Sequence, residues 1–330
     1  MQLKEWGEEN FVNFLKEQFP AQSPITGIGD DCAVIPDKEG NACLITTDAL
    51  SEGIHFLRDQ ILPSQLGYKA IAVNVSDISA MGGLPQYAFL TLALPKETDA
   101  HWVQELIQGI KRACTKWQIQ LLGGDTVGSL RDILINLTLL GTAPVENVKY
   151  RHQAQLNDVI CVTAPLGDSG GGLLALKQHT SLNNNIQKLI QAHFNPTPNL
   201  EQGTWLGGIK FVHAMMDLSD GLDQDLKRLM KGSQKGADIE TTKIPLSKDL
   251  CEACYAHQWD PLKLALTGGE DYCLLLTIDS DAFPEIQYLF QMEFDSPLYE
   301  IGRITNSQKL TYLKKGEVLP LKYYPFNHFE

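Results

Sequence analysis

The sequence predicts two α/β or α+β domains, and three observations lead to that reading. A chain of 330 residues exceeds the usual size of a single hydrophobic core, so two cores are expected. Apolar strand-like runs alternate with amphipathic helical stretches in both halves. Between the halves, Gly141-Thr142-Ala143-Pro144 is a turn-rich break, which sets the expected domains at 1–143 and 144–330.

In the first half, Phe11, Val12, Phe14 and Leu15 recur at helical spacing over residues 8–18, and Pro20 stops the helix. Ala42 to Thr47 reads as a short buried strand that delivers Asp48 at its end. Pro63 suits the first turn of a helix whose apolar positions Leu66, Ala70 and Val73 lead to Asn74-Val75-Ser76-Asp77 and Gly82-Gly83. Gln86 to Leu94 is a strand stopped by Pro95, and Asp99 caps a helix through Val103, Leu106, Ile110 and Ala113. Ile119 to Leu122 is a short strand running into a turn at Gly123-Gly124-Asp125-Thr126, and Ile133 to Leu140 reads as a central strand.

The second half opens with a strand from Asp158 to Thr163 and a glycine-rich helix start at Gly167 to Gly172. No Lys-Ser/Thr follows those glycines, which excludes a Walker A loop. Polar helices at 183–193 and 199–206 are separated by Pro196 and Pro198. A strand from Phe211 to Met216 ends in Asp217-Leu218-Ser219-Asp220-Gly221, before a helix with Leu222, Leu226 and Leu229 on one face. Gly268-Gly269-Glu270-Asp271 is a further acidic turn, entering the strand Cys273 to Ile278. A strand at Leu310 to Leu313 precedes a closing aromatic run of Tyr323, Tyr324, Phe326 and Phe329.

Composition narrows the function. Hydrophobic residues at 43% and charged residues at 20% describe an ordinary globular chain. The amino terminus carries acids and no apolar core segment, and nowhere do about 18 uninterrupted apolar residues occur, so a cytoplasmic protein without a membrane span is expected. Seven scattered cysteines read as reduced, and Cys251-Glu252-Ala253-Cys254 lacks the second pair that a zinc site needs. Net charge is -13, with 40 acids against 27 bases. That balance argues against nucleic acid as a partner. A phosphate-bearing small molecule would need cations between its phosphates and the protein's carboxylates.

Gly27-Ile28-Gly29-Asp30-Asp31 has the composition such a site needs, although a surface turn uses the same residue types. Its company decides the matter. Asp48, Asp77, Asp125, Asp217 and Asp220 also follow strands or begin helices, where α/β proteins gather ligands. Thr46 and Thr47 add oxygens beside Asp48. Mg²⁺ favours one or two carboxylates plus phosphate oxygens, which separate acidic turns can supply. The set therefore points to phosphoryl transfer or nucleotide-dependent activation, with Arg151 as a charged phosphate contact.

The chain resembles the thiamine-monophosphate kinase family, in the superfamily of aminoimidazole ribonucleotide synthetase, selenophosphate synthetase and a hydrogenase maturation protein. The resemblance spans nearly the whole chain. It rests on residues 27–34, Thr46-Thr47-Asp48, Glu52-Gly53-Ile54-His55-Phe56, Lys69 to Asp77, Gly123-Gly124-Asp125-Thr126, Asp217 to Leu222, and Gly268 to Tyr272. It implies the two-domain aminoimidazole ribonucleotide synthetase-like fold, a homodimer formed through the amino-terminal domain, and an active site between the domains. It further implies ATP-dependent, in-line phosphorylation of thiamine monophosphate to thiamine diphosphate with several Mg²⁺ ions. Carried over residue by residue, Asp30, Asp31, Thr46, Thr47, Asp48, Asp77, Asp125, Asp217 and Asp220 would hold metal. Asp48, Asp77 and Asp220 would be the catalytic acids. Gly124, Asp125, Arg151 and Ser219 would meet ATP, and His55, Glu270 and Tyr323 would meet thiamine phosphate. A cationic thiazolium suits an aromatic face and a carboxylate.

Departures from the family pattern are Val127-Gly128 where members continue with Thr-Arg, Asn199 where an arginine is frequent, and Tyr323 where a tryptophan is common. Rival readings are another ATP-dependent synthetase of the superfamily and a noncatalytic nucleotide- or metal-binding module.

Overall fold

The computed structural model describes residues 2–321 and 323. The first part of the chain contains α1 (Leu3–Trp6), α2 (Glu8–Gln18), β1 (Ala33–Pro36), β2 (Asn41–Ser51), α3 (Pro63–Ala80), β3 (Leu84–Pro95), α4 (Ala100–Lys116), β4 (Gln120–Ser129) and β5 (Leu134–Pro144). Its five strands form one mixed sheet in the order β1-β2-β5-β3-β4, with only β3 and β4 parallel. Buried positions alternate along β2 and β5, as expected of a sheet covered on one face. Leu44, Leu90, Ile135, Leu137 and Leu139 pack there against Ile71 and Ile78 of α3 and Leu106 and Ile110 of α4.

The second part contains β6 (Val159–Val162), α5 (Asp168–Lys177), α6 (Asn184–Phe194), α7 (Leu200–Gly207), β7 (Val212–Asp217), α8 (Leu222–Ser233), β8 (Gly236–Glu240), α9 (Lys248–His257), α10 (Pro261–Thr267), β9 (Leu274–Ile278), α11 (Phe283–Phe294), β10 (Tyr299–Thr305), β11 (Leu310–Lys314) and β12 (Glu317–Val318). Its seven-stranded sheet runs β12-β11-β8-β10-β6-β9-β7. Both faces are covered. Ile160, Met216 and Leu275 pack toward Leu222 and Leu226 of α8, while Cys161, Met215 and Leu276 pack toward Phe283, Ile286 and Phe290 of α11. Every residue of β6 and β9 is buried, so these strands are continuous apolar runs rather than alternating ones.

Local chemistry matches the capping expectations. Pro63 starts α3, and the Asp99 side chain accepts the His101 N–H at 2.8 Å at the start of α4. All seven cysteines are free, and Cys251 and Cys254 lie on α9. No helix among the described residues is long and apolar enough to cross a membrane.

Four sequence expectations differ from the structure. Asp48 sits inside β2, which continues to Ser51. The Gly123-to-Thr126 stretch is not a turn but the middle of edge strand β4. Gly124 has φ +152°, and a Cβ there would fall 1.7 Å from the Leu90 carbonyl oxygen of β3. Its glycine is thus required by close strand approach, not by a reversal of direction. Residues 141–144 likewise remain in β5, which stands in the centre of the sheet and pairs with both β2 and β3. Finally, α2 forms as expected, but none of its residues is buried. Trp6 packs on Phe11 with ring centroids 5.5 Å apart, and Val12 and Phe14 remain exposed. Tyr324, Phe326 and Phe329 of the closing aromatic run lie outside the described residues.

The α3–α4 contact fixes the position of α3, the helix that carries Ser76 and Asp77. At Gly67 an added Cβ would meet the Leu106 carbonyl oxygen at 2.1 Å. Gly67→Ala would ordinarily favour a helix, yet the clash should reverse the sign and destabilise the protein by about 1–3 kcal/mol. Chemical denaturation checks this, and a stabilised variant would contradict the close helix contact.

Candidate active site

Acidic residues from four separate segments meet where the two parts of the chain touch. Asp30 and Asp31 precede β1. Thr46 and Asp48 share the covered face of β2. Asp77 lies near the end of α3, and Asp217 is the last residue of β7. Carboxylate oxygens of Asp31, Asp77 and Asp217 all lie within 4.8 Å of one another. Like charges at that spacing repel unless protons or a cation intervene.

Hydrogen bonds hold the cluster. Ser76 Oγ on α3 donates to Asp217 Oδ2 on β7 at 2.7 Å, joining the two parts of the chain directly. Thr46 Oγ1 donates to Asp77. Arg151, in the connection between the sheets, donates its guanidinium to one oxygen of Asp31 and its backbone N–H to Asp30. Its Nε lies 3.4 Å from Asp30 without making a hydrogen bond. The second Asp31 oxygen, Oδ2, is buried with no hydrogen-bond partner. An orphaned carboxylate oxygen beside two more carboxylates fits a divalent oxygen-seeking cation.

The electrostatics agree with that fit. Burial, reinforced by Asp30 and opposed by Arg151, pushes Asp31 up to about 7. Burial and the Asp31 charge push Asp217 up to about 8. Asp48 rises to about 6 through burial and Asp220, and burial with Asp48 and Asp217 raises Asp77 well above the usual carboxylate range. Without a cation, several of these groups retain protons near neutral pH.

Beside the cluster opens a cleft of about 1230 Å³, lined by Asp48, His55 and Phe56 from the first sheet's side and by Ser219, Asp220 and Glu270 from the second. Such a concave junction can hold a small molecule. The Ser51 N–H donates to His55 Nδ1 at 3.0 Å, which leaves the proton of the neutral ring on Nε2. Asp220 precedes α8 and pairs with Arg228, whose other arm bonds the fully buried Asp225 at 2.9 Å. Tyr323 packs against the second core and donates its hydroxyl to cleft-lining Asp260 at 2.8 Å. Burial and that bond push its pKa up to about 12.

Glu270 occupies the left-handed region with φ +56°. Its N–H donates to the Ser219 carbonyl at 2.7 Å, so this turn is tied to the loop that carries Asp220. Burial works against its charge, but Lys69 and His193 hold its carboxyl well below the usual range. Next to it, Asp271 accepts the Gly167 N–H at 3.0 Å and anchors the glycine-rich start of α5.

Two expected metal contacts lie apart. Thr47 points to the opposite face of β2 from Asp48 and donates to the Leu137 carbonyl at 3.2 Å. Asp125 is exposed on β4 and pairs in register with Thr91, on the sheet face opposite Asp48. Gly124 stands in line with Asp48 three strands away, about 14 Å across the sheet.

Sequence reasoning missed Lys69, His193, Asp225 and Arg228. Lys69 had a visible signal, a lone lysine directly before the apolar run Ala70-Ile71-Ala72-Val73. Arg228 follows Asp225 by one helical turn. Nothing in the local sequence marks His193.

Comparisons with known proteins agree with this architecture. Residues 29–143 match the AIR synthase related protein, N-terminal domain family, and residues 155–315 match the corresponding C-terminal domain family. The chain is 36% identical over 330 residues to thiamine-monophosphate kinase of Buchnera aphidicola subsp. Acyrthosiphon pisum, covering 96% of each chain. It is 37% identical to thiamine-monophosphate kinase of Aquifex aeolicus, over 84% of this chain and 87% of that one. The solved structure of AaThiL complexed with AMPPCP and TMP superimposes with a TM-score of 0.87 at 33% identity, over 99% of both chains. These matches define a two-domain protein of the AIR synthase-related class. Within that class, the chain belongs to the thiamine-monophosphate kinase family of enzymes.

The raised carboxylates have a measurable consequence. An acid whose folded pKa lies above its unfolded value near 3.9 stabilises the fold most at low pH and loses that contribution as pH rises through the folded pKa. For Asp48, Asp31 and Asp217 that window extends through about 6, 7 and 8. In chelator, Tm should therefore fall as pH is raised from about 5 to about 8, and Mg²⁺ should stabilise most at the upper end. Thermal unfolding checks this, and Asp217→Asn should flatten the dependence.

Proposed function

We propose that this enzyme transfers the γ-phosphoryl group of ATP directly to the phosphate of thiamine monophosphate, giving thiamine diphosphate with Mg²⁺. The observation that carries the reading is the convergence of Asp31, Asp77 and Asp217, with its orphaned Asp31 oxygen, beside a cleft that also holds Asp220, His55 and Glu270. AaThiL, solved with AMPPCP and TMP, has the same overall fold.

Asp30, Asp31, Asp48, Asp77, Asp217 and Asp220 are the residues that would hold Mg²⁺. When bound, the ions would supply positive charge that neutralises phosphate oxygens in an otherwise acidic cleft. Arg151 brings a guanidinium already oriented by Asp31 and Asp30, and it is the charged residue that would meet a nucleotide phosphate. Ser219, whose carbonyl accepts the Glu270 N–H, lines the cleft and would meet ATP there. The acceptor phosphate has a second pKa of about 6 and is already anionic, so the chain's task is alignment rather than deprotonation. His55 and Glu270, which line the cleft, and Tyr323, bonded to cleft-lining Asp260, are the residues that would meet the thiamine moiety.

The homodimer belongs to the same proposal. Ile35, Phe89, Val127 and Leu134 are exposed on the uncovered face of the first sheet, an apolar area of the kind that interfaces cover. Gly124 and Asp125 lie at this edge and would reach a nucleotide from across that interface. In light scattering the protein should have the mass of a dimer, and Phe89→Glu should shift it toward monomer.

Incubation with ATP, Mg²⁺ and thiamine monophosphate should yield thiamine diphosphate and ADP. Asp48→Asn and Asp220→Asn should each lower turnover at least about a hundredfold with circular dichroism unchanged. ATP binding without diphosphate formation, or full activity in either variant, would overturn the reading.

A further inference from the structure

Lys69 is a lysine in an unusual place: its side chain is 1% exposed, on α3. Burying an ammonium group is strongly unfavourable unless a charge partner compensates. Glu270 is the one carboxylate within ion-pair distance of it among the described residues, with Nζ 2.8 Å from Oε1 and 3.0 Å from Oε2. His193 of α6, also buried, places Nδ1 3.0 Å from Oε2 and 3.0 Å from Ser169 Oγ. Two elements, α3 and α6, thus grip one side chain from behind, while the Glu270 side chain stays 22% exposed toward the cleft.

This grip limits what Glu270 can do. Its negative charge is matched at contact distance by Lys69, so it offers little net attraction to a second cation. Its acceptor capacity is not exhausted. A carboxylate has about four lone-pair positions, and the contacts to Lys69 and His193 occupy two on Oε2 and one on Oε1. One acceptor position on Oε1 is left. Lys69 also keeps the carboxyl ionised, so that it accepts rather than donates a hydrogen bond.

The thiamine moiety carries two distinct features, a thiazolium cation and an amino group on its pyrimidine ring. We propose that Lys69 and His193 are positioning residues that hold Glu270 as an oriented hydrogen-bond acceptor for that pyrimidine amino group, rather than as a counter-ion for the thiazolium. The backbone supports this role. The Glu270 N–H to the Ser219 carbonyl at 2.7 Å fixes the acceptor relative to the loop bearing Asp220. Recognition of the ring and alignment of the phosphate are therefore set by one turn. Lys69 comes from the first domain and His193 and Glu270 from the second, so the acceptor is also registered against both halves of the site.

The inference rests on thiamine phosphate being the acceptor substrate. It is tested by steady-state kinetics of the full chain with thiamine phosphate and with its analogue in which the pyrimidine amino group is replaced by oxo. That analogue presents an acceptor where Glu270 needs a donor. The wild type should favour the amino compound in kcat/KM by a factor of about ten or more. Lys69→Met should raise KM for thiamine phosphate and bring that preference close to unity, with KM for ATP held within about twofold. Lys69→Arg should retain the preference, because the charge and donors remain. If Lys69→Met does not fold, His193→Leu removes a donor from the same oxygen and should reduce the same ratio. A preference unchanged in the folded variants, or losses falling equally on ATP, would overturn the positioning role while leaving the kinase reading intact. A wild type that forms no thiamine diphosphate would overturn both.

Discussion

The structure turns on keeping carboxylates close together and out of water. Asp31, Asp77 and Asp217 offer oxygens within 4.8 Å of one another, with Asp48 and Asp30 adjoining. No apolar packing requirement asks for that arrangement, and burial drives each member of the trio toward its protonated form. The fold tolerates it because hydroxyls of Thr46 and Ser76 and the guanidinium of Arg151 each donate to one oxygen of the trio. What they leave unsatisfied is Asp31 Oδ2, in the middle of the acids. An unpaired carboxylate oxygen beside further carboxylates fits a divalent, oxygen-seeking cation.

Helix α3 carries this constraint through the molecule. Lys69, Ser76 and Asp77 are separated by seven and eight positions, about two turns, so they share one face. That face meets the second domain: Lys69 reaches Glu270, and Ser76 reaches Asp217. Gly67 lies on the face against α4, where the backbones nearly touch. One nearly fully buried helix thereby sets the Glu270 turn and the acid cluster at a fixed separation. The first domain holds it through Ile71 and Ile78, and the second reads its polar stripe.

Much of this was legible from the residues. Helix starts announced themselves through Pro63 and Asp99, since caps and first-turn prolines are local chemistry. The acids were visible only as a set, by their recurrence, because a turn or a helix cap uses the same residue types at any one of those positions. Glycine was the misleading residue. At Gly124 and through Gly141 to Pro144 it suggested turns, whereas these residues continue strands beside close neighbours. Composition cannot separate a glycine that bends the chain from one that lets another strand approach. His193 was illegible for a different reason: only the packing of α6 behind the glycine turn brings it to Glu270, across 77 residues. Asp125 shows the limit from the other side, since its sequence context matches the remaining acids but its strand lies at the open edge of the sheet.

The central claim is that the acid cluster exists to hold divalent cations between the two domains. Crystals grown with Mn²⁺ and a nonhydrolysable ATP analogue, measured at the manganese absorption edge, test it most directly. The account predicts an anomalous peak at coordination distance from Asp31, Asp77 and Asp217 together. Absence of any peak there, with ordered manganese elsewhere on the protein, would contradict it.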